Sequence, residues 1–236
     1  MLLHIVAIIA VLFLIAVFFY KYSSSPTDFR LIQIEWDQAD TWSELRTEGQ
    51  PIIIRGAPTA ASPVWTAVDL EERGLTLPAP VLLGTPAASA AAHQNFVDKW
   101  VRTWLPTAFH TSPVIRAVSP VKITAASGPQ YIRNATAAWT VIAPTDKPCT
   151  VSIAMPSAAE FIPTTATNQY LPALTKADTP FIGDIKYIDV KLRPGTIIAI
   201  PCHWLYSIQE QEPANNPFLI VAEFHSPISF IASRLQ

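Results

Sequence analysis

The side chains able to ligate a metal or attack an electrophile are few in this chain of 236 residues: five histidines and two cysteines, Cys149 and Cys202. An iron or zinc centre needs three or four nitrogen, oxygen or sulfur donors converging on one point. Half of such a set is often a His and a carboxylate two apart on a strand, where both point to the same side. No H-x-D or H-x-E occurs anywhere in the sequence. The reverse spacing does occur, as Glu223 and His225. With no third ligand near it in sequence, that pair reads as an exposed couple at the end of the last strand, beside Ser226 and Pro227. His203 lies between Cys202 and Trp204, His93 and His110 have no partner pattern, and His4 sits near the start of an apolar run. Two cysteines are too few for a disulfide framework or a zinc site, although a single bridge between them stays open.

These groups must be placed by a body with little charge. Lys and Arg total 16 and Asp and Glu 18, for a net charge of −2, and no basic run occurs, so no nucleic-acid partner is expected. Charged residues are 14% of the chain and hydrophobic ones 50%. Twenty-two prolines against seven glycines fit many short strands joined by stiff loops better than long helices. The length suits one sizeable core.

The first twenty residues carry a single polar side chain before Tyr20, that of His4, and fourteen of the twenty are Leu, Ile, Val or Phe. A helix of that length spans about 30 Å, the thickness of a hydrocarbon core, and the composition favours insertion by roughly 4–8 kcal/mol. The sequence therefore predicts a membrane partner, engaged through a transmembrane anchor over residues 1–22, and a single-pass membrane protein. A cleaved signal peptide is the alternative, but no basic n-region precedes the run and no A-x-A site follows it. Lys21 and Arg30 after the run favour a cytosolic C-terminal domain. Residues 23–30 read as a linker and 31–236 as the domain.

Within that domain a helix is predicted over 38–48, closed by Gly49 and Pro51, and a buried strand over 52–55. Thr66 with Asp69 resembles a capping box, for a helix ended by Gly74, and a second amphipathic stripe predicts a helix over 88–104. Strands follow at 114–118, 121–125, 139–143, 150–155, 186–192, 196–200 and 218–224. Residues 144–148 read as a hairpin loop, and Arg193-Pro194-Gly195-Thr196 as a type II turn joining two antiparallel neighbours. Helices first and short strands afterwards predict a mainly β fold with flanking helices.

The run from Leu192 through Pro194-Gly195, Pro201 and Trp204 to Ile208 resembles the closing strand pair of cupin-like, Jumonji-C-type hydroxylases. Gln50-Pro51-Ile52-Ile53-Ile54-Arg55-Gly56 resembles that family's entry strand, Pro63-Val64-Trp65 the segment after it, and the 139–156 hairpin its middle. The resemblance implies a double-stranded β-helix, a cupin or jelly-roll-like barrel, here preceded by the transmembrane helix. It also implies a two-His, one-carboxylate site for Fe(II) with 2-oxoglutarate. By the same resemblance the ligand positions fall at Ile132, Asn134 and Tyr206, none of which carries the family's ligand.

Fe(II) and 2-oxoglutarate are accordingly not expected as cofactors, nor is catalysis. The expected function is a membrane-anchored, non-catalytic cupin-like binding module, with Tyr206, Trp204 and Asn134 lining its pocket and Asn134 inside the barrel, where the Asn134-Ala135-Thr136 sequon would be inaccessible. The alternatives are an active Fe(II)/2-oxoglutarate hydroxylase with a displaced ligand set, and a structural or scaffolding membrane protein.

Overall fold

A computed structural model describes residues 2–21, 28–57, 115–122, 132–144, 147–163, 169–210 and 218–234. The helices predicted over 66–74 and 88–104 lie outside the described residues, as do His93 and His110. Helix α1 covers Leu2–Lys21, β1 Ile32–Glu35, the short α2 Trp42–Leu45, β2 Ile52–Arg55 and β3 Ile115–Lys122. Then follow β4 Arg133–Asn134, β5 Trp139–Pro144, β6 Cys149–Ala154, β7 Tyr187–Leu192, β8 Ile197–Pro201, β9 Leu205–Glu210, β10 Phe218–His225 and α3 Pro227–Arg234.

The strands form two sheets, a six-stranded one in the order β1-β2-β8-β5-β10-β3 and a four-stranded one in the order β4-β9-β6-β7. From β3 onward the chain crosses repeatedly between them, so sequence neighbours mostly lie in different sheets. The turn at Arg193–Thr196 makes such a crossing. It is closed by the Thr196 N–H donating to the Arg193 carbonyl at 2.8 Å, with Gly195 at φ 86°. It joins β7 to β8, which pair with β6 and with β2 and β5 respectively, and not with each other. The predicted antiparallel pairing across this turn is thereby corrected. Within the described residues the strands predicted at 114–118 and 121–125 run together as one, β3, which carries Pro120 on the outermost described strand of the sheet, where a residue without an N–H is tolerated, while 114 and 123–125 lie outside the described residues.

Strand alternation builds the core. Ile53, Ile142, Ile198, Ile200, Leu219 and Val221 of the larger sheet meet Val151, Ile153, Val190, Tyr206 and Ile208 of the smaller. Each large apolar side chain buried here contributes about 1.5–3 kcal/mol. A second cluster covers the outer face of the smaller sheet. There Ile132, Ala154 and Leu205 pack under Ala158, Leu171, Leu174 and Ile185 of the long β6–β7 connection.

The predicted helix over 38–48 is a broken one. It is 3-10 over Trp36–Thr41, α over Trp42–Leu45 and 3-10 again over Arg46–Glu48, ending on Gly49 at φ 64°. Side-chain hydrogen bonds from Thr41 to the Gln38 carbonyl and Thr47 to the Glu44 carbonyl, each three residues back, accompany the tighter winding.

The N-terminal part of the expected architecture is corrected. Among the described residues no helix is long and apolar enough to cross a membrane, so the structure does not carry the single-pass transmembrane anchor expected over 1–22. What remains is a mixed α/β chain, mostly sheet. The physical reason is that α1 docks on the domain. Phe13, Ala16, Val17 and Tyr20, at helical spacing, form its covered stripe, with Val17 3% exposed, and α1 packs against α3. Among the side chains of α1 that the structure describes, 4–12 form the stretch exposed on all sides, about 14 Å long and under half a hydrocarbon core, while beyond it Leu14, Ile15, Phe18 and Phe19 are exposed on the face opposite the covered stripe.

Candidate functional site

The inner face of the larger sheet is apolar along most of its length and turns polar at one end. On β10, Leu219 and Val221 point into the core, and the two-residue period carries Glu223 and His225 along the same face. Glu223 stands opposite Thr140 of β5, which in turn stands opposite Ile200 of β8. The expectation of an exposed Glu223–His225 pair is corrected: the His225 side chain is 6% exposed and that of Glu223 24%. Their Nε2 and Oε2 atoms lie 3.6 Å apart, and the Phe230 ring of α3 meets the imidazole edge-on. Among the described residues, two buried polar atoms at this end have no hydrogen-bond partner, the Thr140 hydroxyl and His225 Nδ1. An unpaired buried polar group costs about 1–3 kcal/mol, so two together need an explanation.

Tyr206 faces this end from the smaller sheet. It lies between Ile153 of β6 and Arg133 of β4. Burial first, then the negative charge of Glu223, push its phenol well above the ordinary tyrosine range, while Arg133 pulls the other way. The hydroxyl therefore stays neutral, with Glu223 and Arg133 both within electrostatic reach.

Register decides the fate of the residues singled out from sequence. Because Arg133 pairs with the inward-facing Tyr206, it is Arg133 that shares the inner side, and Ala135 joins the same core cluster. Ile132 and Asn134 belong to the opposite side: Ile132 packs in the outer cluster, and Asn134 is exposed opposite Leu205. Of the three expected ligand positions only Tyr206 lies inside. Asn134, placed inside the barrel by the sequence reading, is on the outside, and the sequon asparagine is accessible. Trp204 is fully buried, with its indole N–H donating to the Gly49 carbonyl at 3.1 Å and its ring meeting Phe29 edge-to-face. It ties the β8–β9 turn to the N-terminal segment.

The residues present do not fit the iron centre that the family resemblance implies. The inward groups on β4 and β9 are a guanidinium and a neutral phenol, which cannot complete the Glu223–His225 couple to the two-imidazole, one-carboxylate set such a centre uses. Among the described residues no three His, Cys, Asp or Glu side chains converge as a ligand set. Both cysteines are free, Cys149 buried and Cys202 half-buried. Sequence reasoning missed Thr140 and Arg133 and set aside Glu223 and His225. The signal for the last two was present: they continue the Leu219, Val221 period.

His203 sits in the β8–β9 turn. Its ring donates from Nε2 to the Tyr20 carbonyl at 2.8 Å, and the two rings lie 5.5 Å apart.

Compared with protein-family models and with curated protein sequences, the chain finds no match in either.

Proposed function

We propose that this chain is a non-catalytic, cupin-like binding module that takes a small neutral polar ligand between its two sheets, at the end lined by Thr140, Tyr206, Glu223 and His225. The observation that carries this reading is the pair of partnerless buried polar atoms on one inner face, Thr140 Oγ1 and His225 Nδ1. A hydroxyl-bearing ligand suits them, because a hydroxyl donates to an imidazole nitrogen and accepts from a threonine in the same pose. Glu223 disfavours an anionic ligand and Arg133 a cationic one, by like-charge repulsion in a water-poor site. The crossing of strands between two sheets, with an inner face apolar except at this end, supports the cupin-like part of the reading.

The test is direct. The protein is purified under native conditions and denatured, and small molecules released at near one equivalent are identified by mass spectrometry. The same is done for Thr140→Val. A neutral hydroxyl compound released by the wild type and lost in the variant supports the reading. Release of nothing, or of an equal amount from both, sinks it.

A further inference from the structure

The three polar side chains at the inner end of the larger sheet form one row. Thr140 of β5 stands directly opposite Glu223 of β10, and His225 follows two residues on, on the same face and diagonal to Thr140. Diagonal neighbours on an antiparallel ladder have Cα atoms about 7–8 Å apart, within reach of one bridging group. The row is graded in burial. Thr140 is fully buried, the His225 side chain is 6% exposed, and Glu223, at 24%, is the member that solvent reaches. Over His225 the chain closes with α3: the Phe230 ring lies 5.7 Å from the imidazole, edge-on, and the Ser226 hydroxyl accepts from the Ser229 N–H to fix the first turn.

What the row lacks is donors. A carboxylate only accepts. The one ion pair of Glu223 among the described residues is to His225, and at 3.6 Å it is longer than a hydrogen bond. In the neutral imidazole the nearby carboxylate favours the ring proton on Nε2, which leaves the partnerless Nδ1 a bare acceptor. An ammonium group would bring donors together with a positive charge, which the inward-facing Arg133 opposes. A hydroxyl brings a donor without charge, and it can accept from Thr140 as well. One hydroxyl bridging Thr140 and His225 still leaves both carboxylate oxygens unanswered, and a charged group stripped of water without donors costs more than a neutral one. Two hydroxyls on adjacent carbons answer it: their parallel O–H groups meet the two oxygens as the parallel N–H groups of a guanidinium do. Beside the row, Ile200 opposite Thr140 and Tyr206 from the smaller sheet are core residues, an apolar wall for the C–H side of such a molecule.

We propose that the ligand is a neutral polyol with at least three hydroxyls, two of them adjacent and held as a pair by the Glu223 carboxylate, and a further one bridging Thr140 and His225. This identification rests on the reading of the same end as a ligand site. Glu223 is then the group that separates a polyol from a simple alcohol.

The experiment uses the full chain, purified under native conditions and then denatured. The released compound is acetylated, so that mass spectrometry counts its hydroxyls, and a second portion is treated with periodate, which cleaves between adjacent ones. A neutral compound with three or more hydroxyls, cleaved by periodate, is expected. A compound lost in Thr140→Val that has fewer than three, or that resists periodate, overturns the polyol and leaves the ligand site standing. Release of nothing overturns both. Glu223→Gln is expected to lose the compound about tenfold faster on dialysis, since hydrogen bonds to a charged acceptor exceed neutral ones by about that factor. Equal loss from wild type and Glu223→Gln overturns the carboxylate as the holder of the pair. Should that variant fail to fold, the native wild-type complex decides. A pair held by Glu223 is cleaved by periodate only after denaturation, and equal cleavage before and after overturns the assignment.

Discussion

Tyr206 and Arg133 stand directly opposite each other on the β9–β4 ladder, and their side chains share the inner side of the smaller sheet. This one pairing sets the parity of the whole β4 strand, because neighbours along a strand alternate. A shift of one residue exchanges Ile132 and Asn134 for Arg133 and Ala135 as the inner set.

Metal binding can be engineered to read that parity. The triple variant Ile132→His, Asn134→Asp, Tyr206→His is expected to bind no Mn(II), since two of its new ligands face outward. Arg133→His, Ala135→Asp, Tyr206→His is expected to bind Mn(II) at least weakly in isothermal titration calorimetry. The opposite ranking would place β4 in the other register.

Thr140→Val replaces the partnerless hydroxyl with a methyl of nearly the same size. In ligand-free protein it is expected to stabilise the fold by about 1 kcal/mol, because a buried unpaired polar group is removed. A rise in the urea midpoint at unchanged slope checks this. A loss of stability would mean that the hydroxyl makes a bond in the ligand-free chain.

The docking of α1 is expected to weaken as pH rises. Hydrogen bonding to Cys202 raises the His203 imidazole above its ordinary value of 6.5 in the folded chain, partly opposed by burial and aided by the Tyr20 carbonyl. A group raised on folding contributes stability fully below its unfolded value, and that contribution fades as pH climbs through the folded value. The groups facing the ring are Tyr20 on α1 and Cys202 in the turn, with Ser229 on α3 behind them. Amide exchange within α1, corrected for intrinsic rates, should lose protection from below pH 6.5 upward in the wild type and stay flat in His203→Gln. Loss of protection on acidification would contradict the sign. The ring is about half exposed, so the effect is a modest one.

Trp204→Phe is expected to destabilise the protein by about 2–4 kcal/mol, measured by denaturant unfolding. It leaves a void in the core and strips the Gly49 carbonyl of its indole donor. A change below about 0.5 kcal/mol would show that the tie between the β8–β9 turn and the N-terminal segment contributes nothing to stability.

Strands of five to eight residues with a clear pattern were legible in the sequence. Those read at 139–143, 150–155, 186–192, 196–200 and 218–224 correspond to β5 to β8 and β10, because apolar alternation and flanking Pro and Gly mark them. What escaped was short or tertiary. The two residues of β4 have no period of their own, so counting could not fix which faced inward. The Ser226 hydroxyl cap on α3, which accepts from the Ser229 N–H, sits where the sequence read only an end. The docking of α1 depends on α3 and the β8–β9 turn, some two hundred residues downstream, and a window over the first twenty residues sees only their hydropathy. At the inner site the chemistry was visible as a spacing, Glu223 and His225, but its burial required the strand parity that Leu219 and Val221 set.

Among the described residues the larger sheet ends at β3 on one side and at β1 on the other, and the two edges differ. At β3 the chain places Pro120, which has no N–H to offer, opposite Ile220. An incoming strand laid along that edge would find its ladder interrupted partway along. At β1 the edge is only Ile32–Glu35, with Gln33 and Glu35 exposed. A short edge strand carrying exposed polar side chains and an edge interrupted by proline are both features that discourage strand addition from another chain.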